Sequence, residues 1–262
     1  MSFVEELCMS DIWERLGHIS LEEMSGVNLM NRIDTKYVTS RKMLLPMLEE
    51  AVTYGYSVQF NHQALYGYDT TYYDTDSLEM YLIHHNRKLH RLKVRCRTYL
   101  DSSISFLEIK DKSNKGRTNK IRIAVEQTDY NALKTNRDVN DFIGEHTKYN
   151  FQELAPSLET IFQRITLVNK QKTERITIDV DLHFVNSRNR YESSLSDLII
   201  IELKQDGRFH STMKSILQGL RIKPFHLSKY SIGIALTDPT IKANRFKRKI
   251  HLLNKIKNKI YE

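Results

Sequence analysis

Charged and apolar residues alternate with a period of two in six segments of the chain, and most of the charged positions are Lys or Arg. In the segment 91–98, every odd position is basic and every even position is Leu, Val, Cys or Thr. Successive side chains of a β-strand point to opposite faces, so each segment is predicted to be a strand with one charged and one apolar face. The charged faces of the other five strands carry Arg32, Asp34 and Lys36; Glu108 and Lys110; Lys120 and Arg122; Arg175, Thr177, Asp179 and Asp181; and Glu202 and Lys204.

Two folds are compatible with this alternation. One is a half-solvated antiparallel sheet with its apolar face on the core. Exposed faces usually mix both charge signs, however, and a row of four basic residues is repulsive unless an anion lies among them. We therefore predict an α+β fold in which the strands form a closed antiparallel β-barrel with a polar, basic lumen. Closure removes the sheet edges, and helices would cover the apolar outer faces.

The charge balance points to an anionic partner. The chain has 262 residues and a formal net charge of +8, which favours nucleic acid, phosphate or a membrane surface. No apolar run is long enough to span a membrane, and the acidic N-terminal segment is unlike a signal peptide. The two cysteines suit a reducing compartment. We expect a cytoplasmic protein.

Three parts of the chain are distinguished by their patterns: an N-terminal helical segment (1–24), a barrel domain (25–240) and a basic amphipathic C-terminal helix (241–262). That last helix either packs its apolar side on the domain or contacts an anionic membrane surface from the periphery. Further elements predicted from residue spacing are strands at Met30–Thr39, Leu78–Ile83 and Tyr230–Leu236, a hairpin turn at His84–Lys88, and helices within 127–168.

Six short motifs carry a resemblance to a known family. Together they resemble the polyphosphate-polymerase domain of the vacuolar transporter chaperone (VTC) family, a branch of the triphosphate tunnel metalloenzymes. The resemblance covers about residues 25–240, and it is specific because all six motifs occur in the expected order. The motifs are RIDTKY at Arg32–Tyr37, KVRCR at Lys93–Arg97, FLEIK at Phe106–Lys110, RITID at Arg175–Asp179, IELK at Ile201–Lys204 and LSKY at Leu227–Tyr230.

This resemblance implies a tunnel that binds a chain of phosphates and a divalent metal, Mn²⁺ or Mg²⁺, that assists phosphoryl transfer. It implies Glu202 as the main metal ligand, with Glu108 and Asp179 near the metal. The residues expected to act in catalysis are Lys36, Arg95, Arg97, Arg175 and Glu202. The phosphate contacts implied by the motifs are Lys36, Arg95, Arg97, Lys110, Arg175 and Lys229, and the inward strand faces add Arg32, Lys93, Lys120, Arg122 and Lys204.

The expected function is that of a polyphosphate polymerase. Such an enzyme transfers the γ-phosphoryl group of ATP or another nucleoside triphosphate to inorganic phosphate or polyphosphate. The ExExK signature of the superfamily appears only as Arg32-Ile-Asp34-Thr-Lys36, which fits the polymerase branch better than the triphosphatases. Coupling to export across a membrane would require a partner protein in that membrane.

Two alternatives stay open at this point. Water as the acceptor would give a triphosphatase or polyphosphatase from the same site, and a non-catalytic module would only hold polyphosphate, inositol phosphate or RNA. Nucleic acid is not expected, because it usually needs an exposed basic surface with stacking aromatic residues. Two weaker candidates are a metal cluster of His84, His85 and His90, and a phosphate loop at 115–118 that lacks the full GxxxxGK[ST] pattern.

Overall fold

A computed structural model describes residues 2–25, 32–114 and 118–257. The strands of this part are β1 (Gly17–Ile19), β2 (Arg32–Ser40), β3 (Ser57–Gln59), β4 (Tyr66–Asp74), β5 (Arg91–Tyr99), β6 (Ile104–Lys112), β7 (Thr118–Val125), β8 (Ala155–Val168), β9 (Glu174–Asn186), β10 (Glu192–Ser194) and β11 (Leu198–Asp206). The helices are α1 (Phe3–Cys8), α2 (Ile12–Arg15), α3 (Leu21–Ser25), α4 (Leu44–Thr53), α5 (Glu79–His85), α6 (Tyr130–Thr135), α7 (Arg137–His146), α8 (Thr212–Gly219), α9 (Lys229–Thr237) and α10 (Lys247–Lys257).

Eight long strands form one antiparallel sheet in the order β2–β11–β9–β8–β4–β5–β6–β7. The short strand β10 extends β9, and β3 pairs with both β8 and β1. The mixed α and β composition and the large antiparallel sheet confirm the predicted class of fold. The six alternating segments all lie in this sheet.

The predicted closure of the barrel is wrong, because the described part of the sheet stays open between its two outermost strands. Within the described ranges, no backbone pairing joins the two outermost strands, β2 and β7. The outer edge of β2 is instead occupied by a distant segment, because the N–H of Phe225 donates to the carbonyl of Lys36 at 2.7 Å and Tyr37 forms a bridge with Pro224. An edge whose hydrogen-bonding groups are already used cannot pair with another strand.

Helices cover the apolar outer face of the sheet. Ile165, Ile178 and Ile201 belong to a core that includes residues of α1, α2, α4 and α8. Val94 and Leu107 belong to a second core with residues of α6 and α7. Burial of such side chains contributes about 1.5 to 3 kcal/mol each. The charged faces of the strands are thereby left on the inner side of the sheet.

Helix α9 packs against the inner face, where it fills part of the interior. Its residues Tyr230, Ile232 and Ile234 are buried in a cluster with Leu158 and Phe184. Gly233 permits this close approach, since a Cβ atom there would lie 2.5 Å from Leu158 Cδ2 and 2.7 Å from Phe184 Cδ1. The strand predicted at Tyr230–Leu236 is therefore a helix. A helix that is apolar on most sides shows no helical period in its sequence.

Two other predicted elements are also different. The second half of the supposed helical stretch 127–168 is the central strand β8, whose apolar residues occupy both faces, with Leu158 in the inner cluster and Ile165 in the outer one. Because both faces of β8 are buried, its apolar residues are not limited to alternate positions, and their spacing was mistaken for that of a helix. The segment predicted as a strand and hairpin turn is α5, which begins where the Asp74 carboxylate accepts hydrogen bonds from the backbone N–H groups of Met80 and Tyr81, both at 2.9 Å.

A bulge in β9 ends the charged face earlier than predicted. Asp181 has a φ of 52°, and the pairing of β8 with β9 shifts register at this point. Asp181 is half exposed and lies 3.0 Å from His183. The next inward side chain is Leu182, in the inner apolar cluster. The prediction that Asp181 continues the inner charged row is wrong.

Helix α10 packs its apolar side on the domain. Leu253 is buried, and Phe246 just before the helix joins the same cluster as the inner residues. The end of the predicted C-terminal helix, the start of the strand from Met30 and most of the loop at 115–118 lie outside the described residues. In the part that the structure describes, no helix combines the length and apolar character needed to cross a membrane.

Candidate functional site

A cavity of about 470 Å³ lies between the inner faces of β2 and β11 on one side and β5 and β6 on the other. Strands β2 and β11 contribute Asp34, Lys36 and Glu202 to its wall. The remaining wall comes from β5, β6, β7, α5, α9, α10 and the segment before α9. Among the residues that the structure describes, its charged side chains are six Lys and Arg residues and two carboxylates: Lys36, Arg91, Lys93, Lys110, Lys112, Lys249, Asp34 and Glu202.

Strand register explains why these side chains meet. Glu202 of β11 lies directly opposite Lys36 of β2, and Lys93 of β5 lies opposite Lys110 of β6. Lys110 also lies opposite Lys120 of β7. Residues directly opposite each other on antiparallel strands share one face of the sheet. The curved sheet then brings the two groups to opposite walls of one cavity.

The cations in this cavity destabilise one another. Burial and the charge of Lys36 lower the pKa of Lys110 to about 8. Burial, Lys36 and Lys110 lower the pKa of Lys93 well below its ordinary value. Like charges held together in this way favour either loss of a proton or the arrival of an anion. The cavity is therefore suited to a ligand with several negative charges.

Glu202 is the carboxylate that stays available inside the cavity. Burial alone would raise its pKa, but the charges of Lys36, Lys204 and Lys110 lower it to about 2, so Glu202 is ionised. Within the described residues it forms no ion pair shorter than 4 Å. Its oxygens are thus free to bind a cation that arrives with the ligand.

Glu108 is engaged by cations of neighbouring strands. One oxygen lies 2.6 Å from Arg95 Nη2, and the other accepts a hydrogen bond from Lys120 Nζ at 2.6 Å. The carboxylate is fully buried. Burial would raise its pKa, yet Arg95 and Arg97 lower it to about 2. Glu108 therefore holds Arg95 and Lys120 in place.

Asp179 is engaged in the same way on the opposite wall. Arg164 donates to both of its oxygens at 2.6 and 2.9 Å, and Lys229 Nζ lies 2.7 Å from Oδ2. Lys229 also lies 2.9 Å from the centre of the Phe162 ring. The sequence reasoning missed Arg164, because its segment was interpreted as helical. An assignment of 155–168 to a strand would have placed Arg164 on the same face as Phe162.

Of the three carboxylates predicted to bind a divalent metal, Glu202 is the one whose oxygens are available. No group of three or more His, Cys, Asp or Glu residues that could hold a metal occurs among the described residues, so the structure does not bring Glu202, Glu108 and Asp179 together as one set. The oxygens of Glu108 and Asp179 are used by cations, whereas Glu202 is free. One carboxylate is sufficient where Mg²⁺ takes its other ligands from substrate phosphates and water.

Two polar atoms near Glu202 are buried without a hydrogen-bond partner among the described residues. Thr177 lies directly opposite Glu202, and Arg175 lies opposite Lys204. The Thr177 hydroxyl and the Arg175 Nε atom have no hydrogen-bond partner in the described structure. Buried polar groups are normally paired, so such atoms indicate a place for a ligand or an ordered water.

The other residues predicted to contact phosphate differ in how deeply they are buried. Arg97 is buried, donates to Thr70 Oγ1 at 3.2 Å, and lies 5.4 Å from the Tyr68 ring. Burial and Arg95 lower the pKa of Arg97 to about 10. Two predicted contacts lie further out: Arg32 is half exposed and pairs with Asp34 at 2.8 Å, and exposed Arg122 lies 4.1 Å over the Phe106 ring.

The N-terminus of α9 contributes a hydrogen-bond network that the sequence reasoning missed. Ser228 caps this helix by accepting from the Ser231 N–H, and Lys93 Nζ donates to Ser228 Oγ at 2.8 Å. The Ser231 hydroxyl lies 2.7 Å from His84 Nδ1. Burial, with Lys93 and Arg91, lowers the pKa of His84 to about 3, so its ring is neutral. His85 and His90 have other partners, and the three histidines do not form a metal cluster.

The chain is similar to one protein family in sequence and to several solved structures in fold. The family profile described as the VTC domain matches residues 31–237. A candidate adenylate cyclase from Bacillus halodurans shares the fold with a TM-score of 0.51 and 14% identity, over 83% of this chain and 100% of that chain.

Two further solved structures are similar at lower scores. A candidate adenylate cyclase from Vibrio parahaemolyticus has a TM-score of 0.47 and 12% identity, over 78% of this chain and 98% of that one. A candidate adenylyl cyclase from Hippeastrum, described as having a dominant triphosphatase activity, has a TM-score of 0.48 and 11% identity, over 79% and 96%. No curated protein sequence matches the chain.

Proposed function

Because the chain belongs to the VTC domain family, we propose that it is a polyphosphate polymerase that works in the cation-lined cavity. The γ-phosphoryl group of a nucleoside triphosphate passes to the terminal oxygen of inorganic phosphate or polyphosphate. The bond to the bridging oxygen of the donor breaks, a nucleoside diphosphate leaves, and the acceptor grows by one phosphate. The observation that carries this proposal is a cavity whose described wall has six Lys and Arg side chains and one ionised carboxylate without an ion-pair partner, Glu202.

The cations bind and orient the phosphates. Lys36, Lys93 and Lys110 lie in the cavity wall, where a polyanion relieves their mutual repulsion. Arg95 and Arg97 reach the same inner face from β5 and offer planar, two-point contacts to phosphate oxygens. Phosphoryl transfer needs little covalent help from a protein, so positioning and charge neutralisation supply most of the acceleration.

Glu202 would hold the metal, either Mn²⁺ or Mg²⁺. When bound, the ion neutralises charge on the phosphate oxygens during transfer. A pure anion-binding pocket gains nothing from an unpaired carboxylate among its cations, which favours catalysis over storage. Glu108 and Asp179 act by orienting Arg95, Arg164 and Lys229. Cys8 and Cys96 are free thiols, in agreement with a cytoplasmic enzyme.

Incubation of the purified chain with ATP and Mn²⁺, followed by gel analysis of long polyphosphate, tests this function. Wild type is expected to form polymer, and Glu202→Gln and Lys36→Ala are expected to form none. Matched controls are Glu145→Gln and Lys214→Ala, which change exposed helix residues. Both controls should retain polymer synthesis.

Two other outcomes would change the assignment. Release of free phosphate without polymer would make the protein a triphosphatase, with water as the acceptor at the same site. Tight binding of triphosphate with neither product would make it a non-catalytic polyphosphate-binding module.

A further inference from the structure

A second pocket, of about 310 Å³, lies on the outer side of the sheet beside β2 and the end of α8. Tyr37 lines it from β2, and Ile222 and Pro224 line it from the segment that follows α8. Side chains alternate along a strand, so Tyr37 points away from the cavity that its neighbour Lys36 lines. This second pocket, which we call the outer pocket, is therefore separated from the cation-lined cavity by β2.

The floor of the outer pocket is apolar, and backbone contacts hold it in place. Tyr37 is 2% exposed and Ile222 is 5% exposed. The Ile222 N–H donates to the carbonyl of Leu217 at 2.8 Å at the end of α8, and Tyr37 forms a backbone bridge with Pro224. A pocket that is formed before its ligand arrives loses less conformational entropy on binding.

Three cations surround this apolar floor. Lys214 belongs to α8, and Arg221 and Lys223 follow that helix. All three residues are exposed, and among the described residues none of them has an ion-pair partner. The described wall of the outer pocket contains no carboxylate. A matching ligand therefore combines an apolar group, which leaves water, with negative charges beside it.

We propose that the outer pocket is a docking site for an acidic segment of a partner protein, which inserts one aromatic or large aliphatic side chain against Tyr37 and Ile222. The acidic residues on both sides of this anchor lie among Lys214, Arg221 and Lys223. The volume of the outer pocket is at the lower limit of ligand sites, roughly 300 Å³, and suits a single large side chain. Buried anchors of this kind usually supply most of the binding energy of a protein interface.

The chemistry of the outer pocket distinguishes it from sites for other anions. Inorganic phosphate and polyphosphate would gain nothing from an apolar floor. A single-stranded nucleic acid needs aromatic rings that are free to stack on its bases, but Tyr37 is buried. A membrane surface needs apolar side chains that project outward, whereas Ile222 is buried.

Fluorescence anisotropy with a labelled, end-blocked peptide tests the docking site. The peptide has a phenylalanine between two pairs of acidic residues. One comparison peptide has alanine in place of the phenylalanine, and another has amides in place of the acids. Wild type is expected to bind the phenylalanine peptide about tenfold more tightly than the alanine peptide, because the latter buries no ring. The amide peptide should also bind more weakly, since its charges are lost.

Two double variants test the cations beside the pocket. Arg221→Gln with Lys223→Gln removes two of them. The matched control is Arg188→Gln with Arg190→Gln, which removes the same charge from exposed positions elsewhere, and Arg190 has a left-handed backbone like Arg221, with φ of 61° and 56°. The pocket variant is expected to bind the acidic peptide about 3- to 10-fold more weakly, because each exposed ion pair contributes little. The control should resemble wild type, and thermal unfolding verifies that both variants fold.

Gln218→Phe tests the apolar part of the site without a change in charge. Gln218 is an exposed residue of α8 that lines the outer pocket, and a phenylalanine there would occupy the space of the anchor. Binding of the phenylalanine peptide should then fall to the level of the alanine peptide. Tripolyphosphate affinity should be unchanged in every variant, because the outer pocket lies outside the cation-lined cavity.

Four results would overturn the docking site. Equal binding of the phenylalanine and alanine peptides, or equal losses in the two double variants, would show only a general attraction for acidic chains. Displacement of the peptide by tripolyphosphate would place the peptide in the cation-lined cavity. Dimers in sedimentation velocity that disappear in Gln218→Phe would make a second copy of this chain the occupant. Phosphatidylserine vesicles that bind through Arg221 and Lys223 would make the site a membrane contact.

Discussion

Arg95 and Glu108 face each other across β5 and β6, with Arg95 Nη2 2.6 Å and Nε 2.8 Å from the same carboxylate oxygen. The second oxygen of Glu108 is bound by Lys120. Arg95 and Lys120 therefore have a fixed geometry before any ligand arrives. Preorganised charge of this kind is effective in phosphoryl transfer, because little reorganisation is needed when substrate binds.

Glu108→Gln is expected to reduce both stability and activity without changing the metal requirement. The substitution leaves buried Arg95 and partly exposed Lys120 without a counter-charge. Loss of one partner of a buried ion pair such as Arg95–Glu108 costs about 3 to 5 kcal/mol. Urea unfolding measures the first effect. Turnover measured as a function of Mn²⁺ concentration measures the second. An increase in the Mn²⁺ concentration for half-maximal rate would show that Glu108 is a metal ligand after all.

Lys110→Met is expected to stabilise the protein and weaken phosphate binding. Burial and the charge of Lys36 lower the pKa of Lys110 to about 8 from 10.5, so its charged form opposes folding at neutral pH. Removal of that charge should raise the free energy of unfolding at pH 7 by about 1 to 3 kcal/mol. Tripolyphosphate affinity should fall, because a cavity cation is lost.

The pH dependence of the free energy of unfolding tests the charge repulsion assigned to Lys110. Between about pH 8 and 10.5 the folded chain has lost a proton that the unfolded chain still holds, so this residue makes wild-type stability rise with pH across that window. The advantage of Lys110→Met should therefore shrink as pH increases from 8 to 10.5. An advantage that stays constant over this range would contradict the assigned repulsion.

Much of the inner face was predictable from residue alternation alone. Lys36, Lys93, Lys110 and Glu202 were placed on inward faces, and the structure brings them to one cavity. Period-two alternation is local information, since the face of each residue depends only on the strand that contains it. The helical cover followed from the need to bury the opposite face.

Features that depend on distant segments were not predictable in this way. The open edge of the sheet at β2 depends on Phe225, which is distant in sequence and donates a backbone hydrogen bond to the carbonyl of Lys36. Arg164 was missed because apolar residues occupy both faces of β8. Helix α9 was taken for a strand because its burial inside the sheet hides the helical period. In each case tertiary contacts outweigh the local pattern.

Gly233→Ala is expected to destabilise the protein and impair phosphate binding together. The new methyl group would meet Leu158 and Phe184 at 2.5 and 2.7 Å, and overpacking of a core typically costs about 1 to 3 kcal/mol. Displacement of α9 would also shift Ser228 and Lys229 at its N-terminus. Gly144→Ala in α7 is the matched control, because nothing lies within 4 Å of its Cβ position. Helix propensity should make that variant more stable by about 0.5 to 1 kcal/mol.

Asp179→Asn is expected to change how the free energy of unfolding depends on pH in the acid range. Burial would raise the pKa of Asp179, but Arg164 and Lys229 lower it below its ordinary value of 3.8. The stability that this carboxylate contributes is thus complete above about pH 4 and is lost as pH falls further. Asp179→Asn should be less stable at pH 7 by about 3 kcal/mol, since Arg164 and Lys229 lose their counter-charge.

The difference between Asp179→Asn and wild type should narrow below pH 4, where this carboxylate takes up a proton in the unfolded wild-type chain but stays ionised in the folded one. Urea unfolding from pH 7 down to the acid transition measures both curves. Arg137 and Asp141 provide a control, because this pair lies on the surface with side chains that are 91% and 62% exposed, and exposed ion pairs contribute only about 0 to 1 kcal/mol. Asp141→Asn should therefore follow the wild-type profile closely. Parallel curves for Asp179→Asn and wild type through the acid range would show that Asp179 is not the buried anion that holds Arg164 and Lys229 beside the cavity.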